Sequence, residues 1–447
     1  MNTLLRNLVP RPLLAVYHWL LAVLANWWYH APSERMIVVG VTGTSGKSTV
    51  VEMLDSILKA AGHRVGVAST IRFQSGEQSW MNDTKMTMVG RFQLQHLLRQ
   101  MVDAGCRYAL VETTSLGIAQ HRHVGVHYDV VALTNLYPEH LDAHGGFASY
   151  RRAKRELFLH LHRLGEKMLA GQTVPKAAVV NLDAPDARSF LDVPISQRYG
   201  FTLHDAKAPE GATVIQGSIV PSHGRFGLRV EGQTIQLQLP GEHNVGNALC
   251  AYAIARALGV PAATIAQGIG ALTGIAGRIE FVRAGQPFTV VVDYAFEPVA
   301  MQKLYDVVSA QPHRRVIQVL GTTGGGRDRG RGRVLGEMAG RFADMVIATD
   351  EDPYDDDPRE LIARVADGAT AAGKVTGQNL FIELERRSAI RRAVQSAEPG
   401  DLVLITGKGC EQAMVRSGGK KVAWDDRQAV RDEIAAQSFD HQQGVTH

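Results

Sequence analysis

Residues 40–50 read GVTGTSGKSTV, and they carry the residue types that hold a triphosphate. Gly43 and Gly46 permit backbone angles that other residues resist. The amides of Thr44, Ser45, Gly46 and Thr49 can then turn toward phosphate oxygens, helped by the start of the following helix. Lys47 supplies a cation for the β- and γ-phosphates, and Ser48 a hydroxyl for Mg2+. The strict pattern G-x-x-x-x-G-K-[ST] is broken at its first position, which is Val41. The context is nonetheless the required one. The apolar run MIVVGVTG predicts a strand before the loop, and KSTVVEMLDSILKAAG predicts a helix after it that stops at a glycine. An ordinary Gly-rich turn has no need of lysine and hydroxyl at that junction.

Acids and imidazoles recur at the ends of other predicted strands. VETTSLGIAQHRH puts Glu112 at a strand end, and TNLYPEHLDAHGGFASYRRAK offers Glu139, His140, Asp142, His144 and Lys154. Ligands of open α/β sheets bind at strand ends of this kind. Mg2+ takes few protein ligands plus phosphate oxygens, so these segments are candidate metal sites. Any one of them alone would be read as a strand or helix cap, and Lys154 as a solvated helix residue.

The elements that must position these groups follow from periodicity. Strand candidates (RVGVAST, RYALVETT, YDVVALTNL) alternate with amphipathic helices (FQLQHLLRQMVDAGC, FASYRRAKRELFLHLHRL). That alternation predicts an α/β fold with a mostly parallel sheet covered on both faces. Residues 199–240 contain short β runs broken by Gly, Pro and Ser, which predicts a small antiparallel patch. NVGNALCAYAIARALG reads as a helix, and RVIQVLG, ADMVIATD, NLFIEL and DLVLITG as the strands of a second α/β series.

The 447 residues suffice for two or three domains. A net charge of +4 is too weak to argue for nucleic acid. The Arg/Gly run GGGRDRGRGR fits a loop between strand and helix better than an RNA-binding segment. Cys106, Cys250 and Cys410 lie far apart with no CxxC pair, which speaks against a zinc ribbon or a disulfide framework and for a reducing, cytoplasmic setting. The apolar stretch RPLLAVYHWLLAVLANWWYH ends without a signal-peptide cleavage pattern, and His18 and Asn26 interrupt it. It reads as a helix packed on its own domain or, through residues 12–30, as a peripheral contact with the inner face of a membrane.

The order GTSGKST, ETTS, TNLYPEHLDAHGGFASYRRAK, GEHNVGNAL, GRIE, VDYAFEP, GGGRDRG, DEDP, GKGCE resembles the Mur ligase family, over residues 36 to 430. It is most similar to members that add the third amino acid to UDP-N-acetylmuramoyl-dipeptide. The resemblance implies an apolar N-terminal segment (1–35), a central P-loop ATP-binding domain (36–276) and a C-terminal Rossmann-like domain (277–447), with ATP between the last two. It implies an ATP-dependent ligase that makes an acyl phosphate on a carboxylate and then an amide, releasing ADP and phosphate. Ser48 and Glu112 would hold Mg2+ on ATP, and His140 a second Mg2+. Lys154 would be carbamylated and face metal. Asn244 would contact adenine, Arg278 the phosphates and Asp293 the ribose. Thr87, Thr114, Gln120 and Arg122 would contact the acceptor, and Gly407 and Glu411 the incoming amino acid.

Departures from the family pattern matter. Residues 1–35 stand where the family has a uridine-nucleotide domain, too short a stretch for one. Either the central domain alone holds the acceptor, or a lipid-linked or differently activated acceptor is used. Diaminopimelate-adding members carry DNP followed by arginine, which would clamp the distal carboxylate. Here Asp352 and Tyr354 occupy those positions in DEDPYDDDP. Tyrosine cannot supply the charge, and Asp352 with Glu351 would favour a cationic side chain. Phe296 and Glu297 alter the segment after VDYA, and Cys410 in GKGCE reads as a packing residue. Three rivals remain in view. A folylpolyglutamate-synthetase-like ligase is disfavoured by TSLGIAQHR, and an amidating relative by the missing zinc-ribbon cysteines. An idle ATP-binding membrane scaffold is disfavoured by the retained Lys47, Glu112, His140 and Lys154.

Overall fold

The computed structural model describes residues 11–137, 145–207, 209–222, 225–326 and 330–437. The chain divides into two compact units, Met1–Thr273 and Gly274–His447.

In the first unit the strands are β1 (Ile37–Thr42), β2 (Val65–Ala68), β3 (Arg72–Ser75), β4 (Gln78–Met81), β5 (Tyr108–Glu112) and β6 (Val130–Leu133). A hairpin, β7 (Lys167–Leu169) with β8 (Gln172–Val174), stands apart. Then come β9 (Ala177–Asn181), β10 (Gln197–Thr202), β11 (Thr213–Ser222), β12 (Arg225–Val230) and β13 (Gln233–Gln236). The eleven strands of the main sheet run β13-β12-β11-β10-β9-β6-β1-β5-β2-β3-β4. Its central pairs are parallel, and these strands are apolar almost throughout because helices cover both faces. β1, which leads into the phosphate loop, lies between β5 and β6, so three strand ends converge beside that loop.

Within 199–240 the antiparallel patch is present as β11-β12-β13, but it continues the parallel sheet. β10 pairs parallel with β9, and the first half of β11 pairs parallel with β10. Only from Gly217 does β11 turn to antiparallel pairing with β12. The Gly, Pro and Ser that suggested a break sit within one ten-residue strand serving two neighbours.

A buried ion pair fixes the root of β1. Lys167 Nζ donates to Asp129 Oδ2 at 2.7 Å and to the carbonyls of Ser33, Met36 and His127. The same Asp129 oxygen accepts the Val38 amide at 2.7 Å.

His123 is buried between the rings of His121 and His160, at centroid distances of 6.3 and 4.9 Å. Burial first, then His160, His121 and Arg163, lower its pKa to about 3. The folded imidazole therefore stays neutral where the unfolded one, titrating near the ordinary 6.5, takes a proton. Stability is expected to fall as pH drops below 6.5 and to go on falling toward 3, by about 1.4 kcal/mol per pH unit. Melting curves between about pH 7.5 and about pH 5.5 would read this slope, and His123→Phe should make it shallower. An unchanged slope would contradict the assignment.

The second unit holds β14 (Glu280–Val282), β15 (Thr289–Asp293), β16 (Val316–Leu320), β17 (Met345–Thr349), β18 (Leu380–Glu383) and β19 (Leu402–Thr406) in the order β14-β15-β19-β16-β17-β18. All neighbours are parallel except β14 with β15. A small hairpin joins β20 (Ala413–Val415) and β21 (Lys421–Ala423). Arg386 is fully buried beneath this sheet and forks onto Asp426 at 2.7 and 2.7 Å.

Candidate active site

The loop after β1 is shaped by its neighbours. A Cβ on Gly43 would sit 1.9 Å from Thr134 Oγ1, and one on Gly46 2.1 Å from Asn247 Oδ1. Gly46 has φ of +77°, outside the range ordinary residues favour. Asn135 Oδ1 accepts the amides of Thr44 and Ser45 at 3.1 and 2.9 Å, and Thr134 Oγ1 donates to the Ser45 carbonyl at 2.6 Å. Among the described residues no side chain at the N-cap closes the helix Lys47–Ala60 that follows, and its first turn, with Thr49 in it, is where an anion would be taken. Lys47 Nζ folds back onto the carbonyls of Gly43 and Thr44 at 3.2 and 3.0 Å. Gly46→Ala is expected to weaken ATP binding at least about tenfold, because strain of roughly 1–3 kcal/mol and the Asn247 clash both fall on the loop. Isothermal titration with an ATP analogue would check it, with the melting temperature as the control for folding.

Glu112, at the end of β5, is 2 % exposed. Its Oε2 accepts Ser48 Oγ at 3.0 Å, the Thr70 amide at 2.8 Å and Thr70 Oγ1 at 3.0 Å. All three donors are neutral, and among the described residues no cation reaches this carboxylate. A buried negative charge without a cation is costly. A hydroxyl and a carboxylate beside a phosphate loop suit a hard ion that keeps phosphate and water oxygens as its other ligands, so the residues fit Mg2+. No group of three or more His, Cys, Asp or Glu among the described residues could hold a metal by itself. His140, with Glu139, Asp142 and His144, lies outside the described residues.

Lys154 is not a solvated helix residue. It lies on the helix Phe147–Arg163, is 1 % exposed, and donates to the Gly43 carbonyl at 2.8 Å. Its Nζ sits 4.5 Å from the centre of the Tyr150 ring, whose hydroxyl meets Thr44 Oγ1 at 3.0 Å. Thr87 Oγ1 accepts Thr70 Oγ1 at 2.8 Å, which links it to Glu112. Thr114 caps the helix Ser115–Ala119 by accepting the Gly117 amide. Gln120 Oε1 accepts Arg122 Nη2 at 2.7 Å, and the Gln120 carbonyl accepts Arg91. Asn244 is buried, and both ends of its amide are engaged, by the Pro240 carbonyl and by Asn247 Nδ2. Thr70, Thr134, Asn135, Tyr150 and Asn247 also shape the site, although their residue types and spacing give almost no sign of it. Only Asn247 had a local signal, at three residues from Asn244 on one helix.

In the second unit, both oxygens of Asp293 accept backbone amides, from Ala295 at 2.6 Å and Ile279 at 2.7 Å. Burial pushes its carboxyl above the usual range, while Arg278 and these amides pull it back. The Arg278 guanidinium lies 4.6 Å from the Tyr294 ring centre. The altered segment after Tyr294 is a packed cluster: Phe296 meets the Tyr294 ring edge-on, and Glu297 pairs with buried Arg331 at 2.6 Å. Cys410 is fully buried.

The loops after β16, β17 and β19 share a charged cluster. Lys408, fully buried, donates to Asp352 Oδ1 and Oδ2 at 3.0 Å each and to Glu411 Oε2 at 2.6 Å. The charge of Asp352 is thus met within the protein, which removes the argument that Asp352 itself selects a cationic substrate. Glu351 is 3 % exposed. Its Oε1 accepts Thr323 at 2.6 Å, and its Oε2 lies 2.4 Å from where a Cβ on Gly407 would stand. Tyr354 holds a φ of +54°, with its ring against Gly325.

Comparison with known proteins decides what this arrangement is. The Mur ligase middle domain matches residues 41–255, and the Mur ligase glutamate ligase domain matches residues 277–409. A UDP-N-acetylmuramyl-tripeptide synthetase of Roseiflexus sp. (strain RS-1) is 40% identical over 93% of this chain and 82% of its own length. The chain belongs to the Mur ligase family. A UDP-N-acetylmuramoyl-L-alanyl-D-glutamate–2,6-diaminopimelate ligase of Geobacillus thermodenitrificans is 33% identical over 93% of this chain and 82% of its own length. A solved structure of a ligase with that name superposes with a TM-score of 0.56 at 26% identity, covering 90% of this chain and 79% of the other. A Mycobacterium tuberculosis folylpolyglutamate synthase solved with ADP and AMPPCP shares the fold, with a TM-score of 0.58 at 18% identity, covering 84% and 89%. This Mur ligase is an ATP- and Mg2+-dependent amide-forming enzyme of the kind that yields ADP and phosphate.

Proposed function

We propose that this enzyme adds one amino acid to a carboxylate of a muramoyl peptide, a cell-wall precursor, and that the first unit performs the activation. The observation that carries the reading is Glu112, buried with no cation reaching it among the described residues and hydrogen-bonded to Ser48 directly behind the phosphate loop. In the proposed reaction the acceptor carboxylate attacks the γ-phosphorus and ADP leaves. The amine then attacks the acyl carbon, phosphate leaves, and the amine loses a proton. Lys47 would leave its loop carbonyls for the phosphates as charge gathers there. Bound Mg2+ would offset the remaining negative charge, with Ser48 and Glu112 as its protein ligands. Thr87, Thr114, Gln120 and Arg122 would orient the acceptor carboxylate for in-line attack.

Further assignments belong to the same reading. Domain boundaries are placed at 36–276 and 277–447, after an N-terminal segment 1–35. Asn244, Arg278 and Asp293 complete the ATP site, His140 serves a second Mg2+, and Lys154 acts as a carbamate. Residues 12–30 make a peripheral contact with a membrane. Asp352, Tyr354, Gly407 and Glu411 line the amino-acid subsite. Tyr354 brings no cation, so the donor is read as an amino acid other than diaminopimelate. With both oxygens of Asp352 held by Lys408, the neighbouring Glu351 is read as the carboxylate that would receive a cationic side chain.

Phosphate release tests the reading. It should require acceptor and amino acid together, and Glu112→Gln should cut it at least about a hundredfold. Release from Mg-ATP alone at the full rate would overturn coupled ligation.

A further inference from the structure

The helix Arg11–Trp28 has two unlike faces. Ala22 and Ala25 are buried, and Asn26 packs against Gly125, where a Cβ would meet that of Asn26 at 2.8 Å. On the other face Leu13, Trp19, Leu20, Leu24, Trp27 and Trp28 are 47% to 71% exposed. No Asp, Glu or Lys interrupts the helix. A continuous apolar face of this kind marks an interaction surface. No described helix is long and apolar enough to cross a membrane.

What the helix rests on says what covers it. It packs on the helix Arg91–Asp103 and on the loop that carries Gln120 and Arg122. Gln95 Nε2 ties that loop in through the Gly125 carbonyl at 2.9 Å. Tyr17, on the apolar helix, lies within electrostatic reach of Arg91. Arg91 donates to the Gln120 carbonyl and, among the described residues, meets no carboxylate. Arg122 donates to the same Gln120, at its Oε1 and 2.7 Å, and burial together with that like charge lowers the Arg91 pKa. The apolar face therefore runs into a pair of guanidiniums, a pattern complementary to hydrocarbon beneath an anionic headgroup layer. A second copy of the chain fits less well. Its matching face would offer the indole N–H groups of Trp19, Trp27 and Trp28 little beyond the Tyr17 hydroxyl, whereas headgroups supply acceptor oxygens throughout.

We propose that the exposed face of Arg11–Trp28 docks this Mur ligase on an anionic lipid bilayer, with Arg91 and Arg122 at the headgroups, and that its acceptor is a muramoyl peptide carried by that bilayer. The acceptor part rests on the proposed function, which places the acceptor at Gln120 and Arg122. The docking part does not.

Sedimentation with vesicles of phosphatidylcholine containing phosphatidylglycerol should carry the protein down, with a blue shift of tryptophan emission. Vesicles of phosphatidylcholine alone should bind at least about tenfold more weakly. The double substitution Trp27→Ser, Trp28→Ser should abolish binding while the melting temperature holds, and Arg91→Gln should reduce the preference for the anionic vesicles. No vesicle binding, or a dimer in sedimentation velocity that the double variant dissociates, would overturn docking. Lipid-linked acceptor in these vesicles should give a higher kcat/KM than the UDP-linked one, and the double variant should lose that advantage alone. Equal kcat/KM for both acceptors would overturn the acceptor assignment. Vesicle binding with turnover of neither acceptor would instead remove the proposed ligase substrate and leave docking standing.

Discussion

Replacing Lys154 by alanine is expected to lower turnover at least about a hundredfold while ATP affinity changes less than about threefold. Lys154 is 1 % exposed and donates to the Gly43 carbonyl, one residue from the phosphate-loop threonine that Tyr150 holds. A buried ammonium at that point sits awkwardly with metal chemistry, since a cation repels a cation. Reaction of the neutral amine with CO2 forms an N–C bond and releases one proton, leaving a carbamate anion that can face Mg2+. Intact mass should then show one added CO2 that is lost in acid. Turnover should rise with bicarbonate, and a short carboxylate in the buffer should partly restore the alanine variant. Lys154→Met keeps the packing and separates chemistry from folding. Full activity of either variant would remove Lys154 from the metal site.

Asp426→Ala is expected to destabilise the second unit by about 3–5 kcal/mol, the largest stability effect the fold suggests. Arg386 and Asp426 are both fully buried, and Arg386 also donates to the carbonyls of Asp350 and Thr406 at 3.3 and 2.8 Å. Removing the carboxylate leaves a guanidinium without its counter-charge in the interior. For a unit of this size the melting temperature should fall by roughly 10 °C. Those two carbonyls flank Glu351 and Gly407, so KM for the amino acid should rise before KM for ATP does. Replacing both partners by apolar residues should recover much of the lost stability. A melting temperature within about 2 °C of the parent for Asp426→Ala would contradict the account.

The phosphate loop and its flanking strand and helix were legible because their signals are local. Glu112 was legible for the same reason, as an acid closing an apolar run. Lys154 was legible only through family resemblance. Its helix spacing suggests a surface residue, and the carbonyl it meets is 111 residues away. The partners that shape the loop, Asn135 and Tyr150, act across 91 and 106 residues, so no window of sequence could reveal them. The pairing of Asp352 with Lys408 spans 56 residues and reverses a reading made from charge alone. A local acidic run says nothing about a lysine folded in behind it.

In the proposed reaction this chain joins an amino acid to a muramoyl peptide. The most direct test of that reaction is the mass of the product formed from Mg-ATP, a mixture of amino acids and UDP-linked or vesicle-borne muramoyl dipeptide. The account predicts a gain of one amino-acid residue, matched mole for mole by phosphate, with a residue other than diaminopimelate. Consumption of ATP with both acceptors unchanged in mass would contradict it.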